Sequence, residues 1–158
     1  MKILKVHANR RLKAFEIETP RGNYTYPFAK AGPGRGALRV AEVYVDEELG
    51  GEAFTYCLDS GEEETVHVEQ VLDYNQDPEY LKALLLYKLT LEAVRGAADS
   101  GISKRELARR LGTSPSQLYR LLDSTNSAKS VGQMLALLHL VGREVDVVVK
   151  SRRLSGAG

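Results

Sequence analysis

With 158 residues the chain can hold one domain or two small ones, and its 43% hydrophobic and 27% charged residues are ordinary for a soluble globular protein. No apolar run is long enough to span a bilayer, and the N-terminus lacks the apolar core of a secretion signal, so we expect a cytoplasmic protein without membrane association. Cys57 is the single cysteine, which excludes an internal disulfide and fits a reducing compartment. The three histidines lie far apart without cysteine-rich partners, so we predict no metal site and no cofactor.

The net charge of +1 conceals three segments of opposite sign. Residues 1–39 carry nine Lys or Arg and two Glu, whereas residues 40–77 carry twelve Asp or Glu and neither Lys nor Arg. Residues 78–158 carry thirteen basic and seven acidic residues. Asymmetry of this kind bears on binding partners rather than on the fold. The alternative is that the first two segments neutralise each other within one sheet, since opposite charges on neighbouring strands are mildly stabilising.

The first half of the chain predicts a β-rich domain. Apolar residues alternate with polar ones in six stretches, near residues 4–8, 15–17, 24–28, 43–45, 54–58 and 66–68. Pro20-Arg21-Gly22 and Asp59-Ser60-Gly61 supply turn residues between these strands. The glycine-rich stretch 31–37 cannot continue a strand and predicts a flexible loop.

The two sets of three strands resemble each other. Ala14-Phe15 matches Ala53-Phe54, and Gly22 matches Gly61, so the sequence indicates a weak internal repeat of about 37–40 residues. A duplicated β-unit whose halves pack on one another would account for it. Chance similarity remains the alternative, because alternation alone creates such matches between any two β-meanders.

A long helix is predicted to follow. Asp77 and Pro78 have the residue types of a helix cap and a first helical position, and they mark the boundary between a domain of residues 1–76 and one of residues 77–150. The helix continues to about residue 100, and its apolar residues spread beyond a narrow stripe. Contact with both the β-rich domain and the later helices, or a place in a dimer interface, would explain this spread.

The C-terminal end predicts one more helix and a strand. Ser130 and Gln133 form a capping box, and Gly142 ends the helix. Alternating β-branched residues at 144–150 predict a short strand, which must pair with the β-rich domain or with a second subunit. Residues 151–158 predict a flexible tail. The expected fold class is therefore α+β, a β-rich domain followed by an all-α domain with a short C-terminal strand.

The segment 101–123 carries the most informative motif. Ser103 and Glu106 form a capping box for a short helix, and Gly112 stands where a left-handed residue ends it. Ser114 and Pro115 then begin a second short helix. Two short capped helices separated by so tight a turn are typical of a helix-turn-helix, whose second helix enters the DNA major groove.

These residues resemble the Xre/Cro family of lambda-repressor-like DNA-binding proteins. The matching positions are Ser103, Glu106, Leu107-Ala108, Leu111-Gly112, Ser114, Ser116, Leu118, Arg120 and Leu121. A strand after the last helix is similar to the group of Xre-type proteins that includes the HigA-type antitoxins. The alternative is an unrelated pair of well-capped helices.

The resemblance implies which residues meet DNA. It places the start of the second helix at the base edges, namely Pro115, Ser116, Gln117 and, one turn on, Arg120. Gln117 can bind an adenine edge and Arg120 a guanine, whereas Ser116 is permissive and Pro115 can touch only a thymine methyl. The expected phosphate contacts are Lys104, Arg110, Ser114, Tyr119, Asn126 and Lys129. For any one basic residue the alternative is a solvated helix face.

The sequence leaves three classes of function to compare. The first is a transcriptional regulator that binds double-stranded DNA as a homodimer, because one such motif reads only a few base pairs. The second is an antitoxin that autoregulates its operon, with the acidic segment 40–77 complementing a basic toxin. The third, an enzyme, has little support. No motif with a catalytic mechanism is present, so we predict no catalytic residues.

Overall fold

The computed structural model describes residues 1–33 and 37–152. It divides the chain into two compact units, Met1–Leu81 and Lys82–Gly158. The predicted flexible loop at 31–37 and flexible tail at 151–158 fall partly on residues 34–36 and 153–158, which lie outside the described residues.

The first unit holds two three-stranded antiparallel sheets, each in the chain order of its strands. The first sheet comprises β1 (Lys5–Asn9), β2 (Ala14–Thr19) and β3 (Gly22–Pro27), and the second comprises β4 (Val40–Val45), β5 (Ala53–Leu58) and β6 (Glu63–His67). One helix follows each sheet, α1 (Phe28–Ala31) and α2 (Val68–Tyr74). The antiparallel order follows from the short turns at Gly22 and Gly61, where positive φ values of 140° and 88° favour glycine.

An aromatic cluster joins the two sheets in one core. Phe15 and Ile17 alternate along β2 with Glu16 and Glu18, so that one face of the strand is buried. The Phe15 ring centroid lies 4.9 Å from that of Phe54 and 5.1 Å from that of Tyr56, both on β5. All three rings are fully buried, and burial of such large apolar surfaces is the main driving force for this packing.

The two three-stranded meanders, β1–β3 and β4–β6, repeat the same local contacts. Asn9 Oδ1 accepts a hydrogen bond from the Leu12 amide at 3.1 Å, and Asp46 Oδ1 accepts one from the Leu49 amide at 3.2 Å. A hydrogen bond also joins each helix to a turn of its own meander. The Phe28 amide at the start of α1 donates to Lys13 O in the turn between β1 and β2, and the Val68 amide at the start of α2 donates to Glu52 O in the turn between β4 and β5, both at 2.9 Å. The two halves therefore share a plan that includes the turn, the strands and the following helix.

The second unit is helical. Helix α3 (Pro78–Ser100) begins in the first unit and continues into the second, where α4 (Lys104–Leu111), α5 (Pro115–Leu122) and α6 (Val131–Leu140) follow. The Asp77 carboxylate accepts from the Tyr80 amide at 2.9 Å and so caps α3. The buried core of the unit comprises Leu86, Leu89, Ala93, Leu107, Ala108, Leu118, Leu121, Met134, Leu137, Leu138 and Val141. Within the described ranges, none of the helices has the length and apolar character needed to cross a membrane.

The predicted short C-terminal strand is wrong. Residues 143–150 adopt no regular secondary structure, and Val147, Val148 and Val149 are 78%, 75% and 89% exposed. Among the described residues no strand pairs with this segment, and β-branched side chains alone do not hold a strand without a hydrogen-bonded neighbour. The chain is α+β, with two antiparallel sheets followed by helices to the end of α6.

Candidate nucleic-acid interface

Helices α4 and α5 are delimited by local caps. Ser103 Oγ accepts from the Glu106 amide and Ser114 Oγ from the Gln117 amide, both at 3.2 Å. Gly112 ends α4 with φ 68° and ψ 32°, a left-handed conformation that favours glycine. Pro115 occupies the first turn of α5, where no amide donor is needed. The predicted caps at Ser114 and Gly112 are confirmed.

The reciprocal half of the predicted capping box at Glu106 is wrong. Its carboxylate accepts instead from Arg109 at 2.6 and 2.8 Å and from Arg110 at 3.0 Å. These hydrogen bonds, with the positive charge of the two guanidinium groups, lower the pKa of Glu106 to about 2. A second capping box, between Ser130 and Gln133, is confirmed, with both reciprocal bonds at 3.1 Å.

Buried leucines fix which face of α5 is exposed. Leu118 is fully buried and Leu121 is 6% exposed, and both pack in the helical core with Leu107 and Leu137. Residues three and four positions apart share a helix face, so anchoring Leu118 and Leu121 turns the opposite face to solvent. The second helix of the motif is thus held by its apolar side and presents its polar side.

The residues predicted to touch bases lie on the solvent-exposed part of α5. Pro115, Ser116, Gln117 and Arg120 are all exposed. Within the part of the chain that the structure describes, the side chains of Ser116, Gln117 and Arg120 form neither a hydrogen bond nor an ion pair. Gln117 and Arg120 border one cleft of about 540 Å³ at the surface of the second unit. Their donors and acceptors are free for a ligand.

The residues predicted to touch phosphates divide into two groups. In the first, Lys104 Nζ lies 5.0 Å from the centroid of the exposed Tyr119 ring, a cation–π contact that positions both side chains. Ser114 uses its oxygen as the α5 cap, and its hydroxyl proton can still be donated. Arg110 is exposed but bound to Glu106.

Asn126 and Lys129, the second group, hold the C-terminal end of α5. Lys129 is 5% exposed, and its ammonium donates to the carbonyls of Leu121 and Asp123, each at 2.8 Å. Burial lowers the pKa of Lys129, an effect that Asp123 partly offsets. Asn126 Nδ2 donates to Arg120 O at 3.2 Å, and its Oδ1 accepts from the Ala128 amide at 3.0 Å. These contacts close a helix end and argue against direct phosphate contacts at both positions.

Two further side chains belong to the same surface and were not predicted. Gln133 borders the cleft of Gln117 and Arg120. The sequence indicated only its role in capping α6, so it was not predicted as a site residue. Arg105 is exposed at the start of α4 and forms no ion pair with any described residue. The excess of basic residues was its only signal, since residues 104–120 contain five Lys or Arg and one Glu.

The chemistry of the surface is that of polar recognition. Among the described residues no group of three or more His, Cys, Asp or Glu is placed to hold a metal ion. Comparison of the chain with protein-family models, with curated proteins and with solved structures found no match. The assignment of a function therefore depends on the geometry of α4 and α5.

Proposed function

We propose that the chain is a sequence-specific, double-stranded DNA-binding transcriptional regulator whose helical unit is a helix-turn-helix of the Xre/Cro type. One observation carries the proposal. The side chains of Ser116, Gln117 and Arg120 are exposed and have no hydrogen-bond or ion-pair partner among the described residues, and Leu118 and Leu121 anchor the helix that carries them. A rigid helix with free polar groups along one face is what reading of base edges in the major groove requires.

The side chains on α5 suit different bases. The Gln117 amide has a donor and an acceptor that match N6 and N7 of adenine, and the Arg120 guanidinium has two donors that match O6 and N7 of guanine. These residues are three positions apart and share a helix face, so they would read neighbouring base pairs. Ser116 can donate or accept and tolerates several bases. Pro115 offers no donor and suits a thymine methyl.

The flanking residues suit the phosphate backbone. Lys104 and Tyr119 form one exposed pair, and Arg105 and the Ser114 hydroxyl lie at the starts of the same two helices. Contacts of this kind set the register of the protein on the duplex without reading sequence. They also make affinity fall as salt rises, because each neutralised phosphate releases counterions.

A single α5 spans only a few base pairs, so specific binding requires two copies. We propose a homodimer that binds two half-sites of a pseudo-palindromic operator, since the symmetry of such operators follows that of the protein. Sedimentation of the full chain at micromolar concentration, with and without its selected DNA site, measures the number of copies. A monomer in both conditions would overturn this part of the proposal.

The test of DNA reading is selection of bound sites from a random pool of duplex DNA. The selection is done at near-physiological salt, where nonspecific binding is weak. We expect the full chain to enrich a palindrome, and Gln117→Ala/Arg120→Ala to enrich none. Lys88→Ala, a change of an exposed residue on α3, serves as the control and should retain the enrichment. A pool unchanged by the full chain would contradict the proposed function.

A second candidate is an antitoxin that binds the same kind of operator and also masks a toxin. Acidic side chains on the second sheet favour it. Glu42 on β4 and Glu63 on β6 are both exposed and both lie beside Cys57 of β5, so they share one face of the sheet. This surface complements a basic protein. Coexpression with the product of the neighbouring gene, followed by purification, should recover a stable complex if that product is a small basic toxin.

A further inference from the structure

The shared plan of the two meanders allows equivalent positions to be compared. The turn between β1 and β2 contains Arg10 and Lys13, and the corresponding positions between β4 and β5 are Glu47 and Glu52. Each turn faces the chain segment that leads into the first strand of the other meander. Ile3, just before β1, and Val40, the first residue of β4, are equivalent buried residues, and both are 4% exposed.

Opposite charges close the turn of the second meander. The Ile3 amide donates to Gly51 O at 2.8 Å, which fixes residues 1–3 against the turn. The Met1 ammonium nitrogen then lies 3.1 Å from Glu52 Oε1. One acidic side chain of the turn, that of Glu52, is thus matched by a positive charge on the segment that covers it.

At the equivalent place in the first meander, the described residues line a cleft of about 650 Å³. Its apolar lining includes Phe28, Leu38 and Val40, and its charged lining includes Arg10, Lys13 and Arg39. A cleft of this volume is within the range of small-molecule sites, which are mostly apolar with a few placed polar groups. We refer to it as the Arg10 cleft.

The Arg10 cleft has an excess of positive charge. Arg10 donates to the carbonyl of Val40, with Nη2 at 3.1 Å and Nε at 3.4 Å, which holds the guanidinium group at the cleft and leaves Nη1 available. Within residues 1–33 and 37–152, neither it nor Lys13 nor Arg39 forms an ion pair. Among the described lining residues, Asp59 supplies the one carboxylate. Where the second meander pairs opposite charges, the first gathers three cations around apolar surface.

We propose that the Arg10 cleft binds a small organic anion, with a carboxylate or phosphate group facing Arg10, Lys13 and Arg39 and an apolar body against Phe28 and Leu38. Charge-assisted hydrogen bonds from guanidinium and ammonium groups are the strong contacts that such a head group needs. The concave apolar lining favours a small molecule over the backbone of duplex DNA, whose phosphates are met by protruding side chains. The residues of the Arg10 cleft belong to the first unit, whereas α5 belongs to the second.

The experiment is an NMR titration of the full chain with four probes. Phenyl phosphate and benzoate carry an anionic group on an apolar ring, benzyl alcohol carries the ring without charge, and inorganic phosphate carries the charge without the ring. Concentrations extend to about 10 mM, because ligands of so few atoms bind in the millimolar range. We expect both ring anions to give saturable shifts of the Ala29, Ala37 and Leu38 amide signals, and the other two probes to bind about tenfold more weakly.

A pair of double variants tests the cations. Lys13→Asn/Arg39→Gln removes two charges from the cleft, and Asn tolerates the φ of 52° at position 13. Arg11→Gln/Lys30→Gln removes two charges from the same turn and from α1 without touching the cleft lining. We expect the first variant to weaken phenyl phosphate binding about tenfold, which corresponds to about 1.4 kcal/mol, and the second to leave it within about twofold. The single variant Arg39→Gln, expected to weaken binding in the same direction, replaces the double variant if that one unfolds.

Several outcomes would overturn the proposal. They are the absence of saturable shifts, equal binding of benzyl alcohol, equal binding of inorganic phosphate, and equal loss of binding in the two double variants. A short duplex DNA that shifts the same amide signals while phenyl phosphate does not would also overturn it, and would extend the DNA-binding surface to the first unit.

Discussion

The two ends of α5 use polar side chains for opposite purposes. Toward its N-terminus, the side chains of Ser116 and Gln117 have no hydrogen-bond or ion-pair partner among the described residues, and the same holds for the Arg120 side chain in the last turn. Beyond its C-terminus, Asn126 and Lys129 donate hydrogen bonds to backbone carbonyls that have no partner within the helix. Residue type does not distinguish these roles, since Gln117 and Asn126 are both amides and Arg120 and Lys129 are both cationic. What distinguishes them is whether folding has already used their hydrogen-bonding groups.

The difference has a thermodynamic consequence. A side chain that satisfies buried groups contributes to the free energy of unfolding, because its removal leaves those groups without partners. A side chain that is free in the folded protein contributes little to that free energy and can contribute to binding. Variants at the two ends of α5 should therefore separate stability from DNA affinity.

The largest loss of stability is expected for Lys129→Met. Methionine fills similar volume but cannot donate to Leu121 O and Asp123 O, so the free energy of unfolding should fall by about 1–3 kcal/mol. Urea unfolding followed by far-ultraviolet circular dichroism measures it. Lys88→Met, at an exposed position of α3, is the control and should stay within about 0.5 kcal/mol. An equal effect of the two changes would show that the buried ammonium contributes nothing particular.

A loss of comparable size, but in DNA binding, is expected for Arg120→Ala. The variant should lose discrimination at one base pair of the selected site, at a cost of about 1–3 kcal/mol, while its free energy of unfolding stays within about 0.5 kcal/mol of the parent. Competition binding with single-base variants of the site measures the discrimination. An equal loss of affinity on every sequence would instead assign Arg120 to a phosphate.

Two serines of the same turn give a smaller and closely matched contrast. Ser114→Ala removes the α5 cap and should cost about 1 kcal/mol of stability, whereas Ser116→Ala should cost less than about 0.5 kcal/mol. Ser116→Ala should still weaken DNA binding if its hydroxyl meets the duplex. Thermal unfolding of both variants, beside their affinity for the selected site, tests the contrast. It fails if both serines affect stability alike.

Features that depend on a few neighbouring residues could be predicted from the sequence. The caps at Ser114 and Ser130 use an oxygen and an amide three positions apart, and the left-handed residue at Gly112 needs only its own backbone. The alternation of Phe15 and Ile17 likewise placed β2. In these cases the residues that determine the structure are adjacent in the chain.

Features that depend on distant residues could not be predicted. Residues 144–150 have the composition of a strand, but a strand needs a partner that the sequence does not specify. The burial of Lys129 depends on where the end of α5 meets the following loop. The Arg10 cleft gathers side chains from residues 10–13, 28 and 38–40, which only the packing of two meanders brings together. The DNA-binding role, the homodimer and the operator stay predictions.

The smallest effect on stability is expected for Glu106, whose carboxylate is hydrogen-bonded but not buried. Its carboxylate is bound to Arg109 and Arg110, as Lys129 is bound to carbonyls, but all three side chains of the ion pair are at least a third exposed. The folded pKa of Glu106, about 2, lies below its ordinary value of 4.5, so its contribution to stability is present above pH 4.5 and is lost as the pH falls toward 2. The difference in unfolding free energy between the parent and Glu106→Gln should therefore shrink from about pH 5 to about pH 2. It should be small throughout, because solvent screens exposed charges.

Urea unfolding of both proteins at several pH values in that range measures the difference. Glu92→Gln, which removes the exposed carboxylate paired with Arg95 at 2.8 Å on α3, is the matched control for loss of a surface ion pair. A Glu106→Gln variant as unstable as Lys129→Met would mean that the hydrogen bonds of a side chain determine its contribution to stability whether or not it is buried. A much smaller difference than that of Lys129→Met would mean that hydrogen bonds of a side chain stabilise the fold mainly where water is excluded, as it is around Lys129.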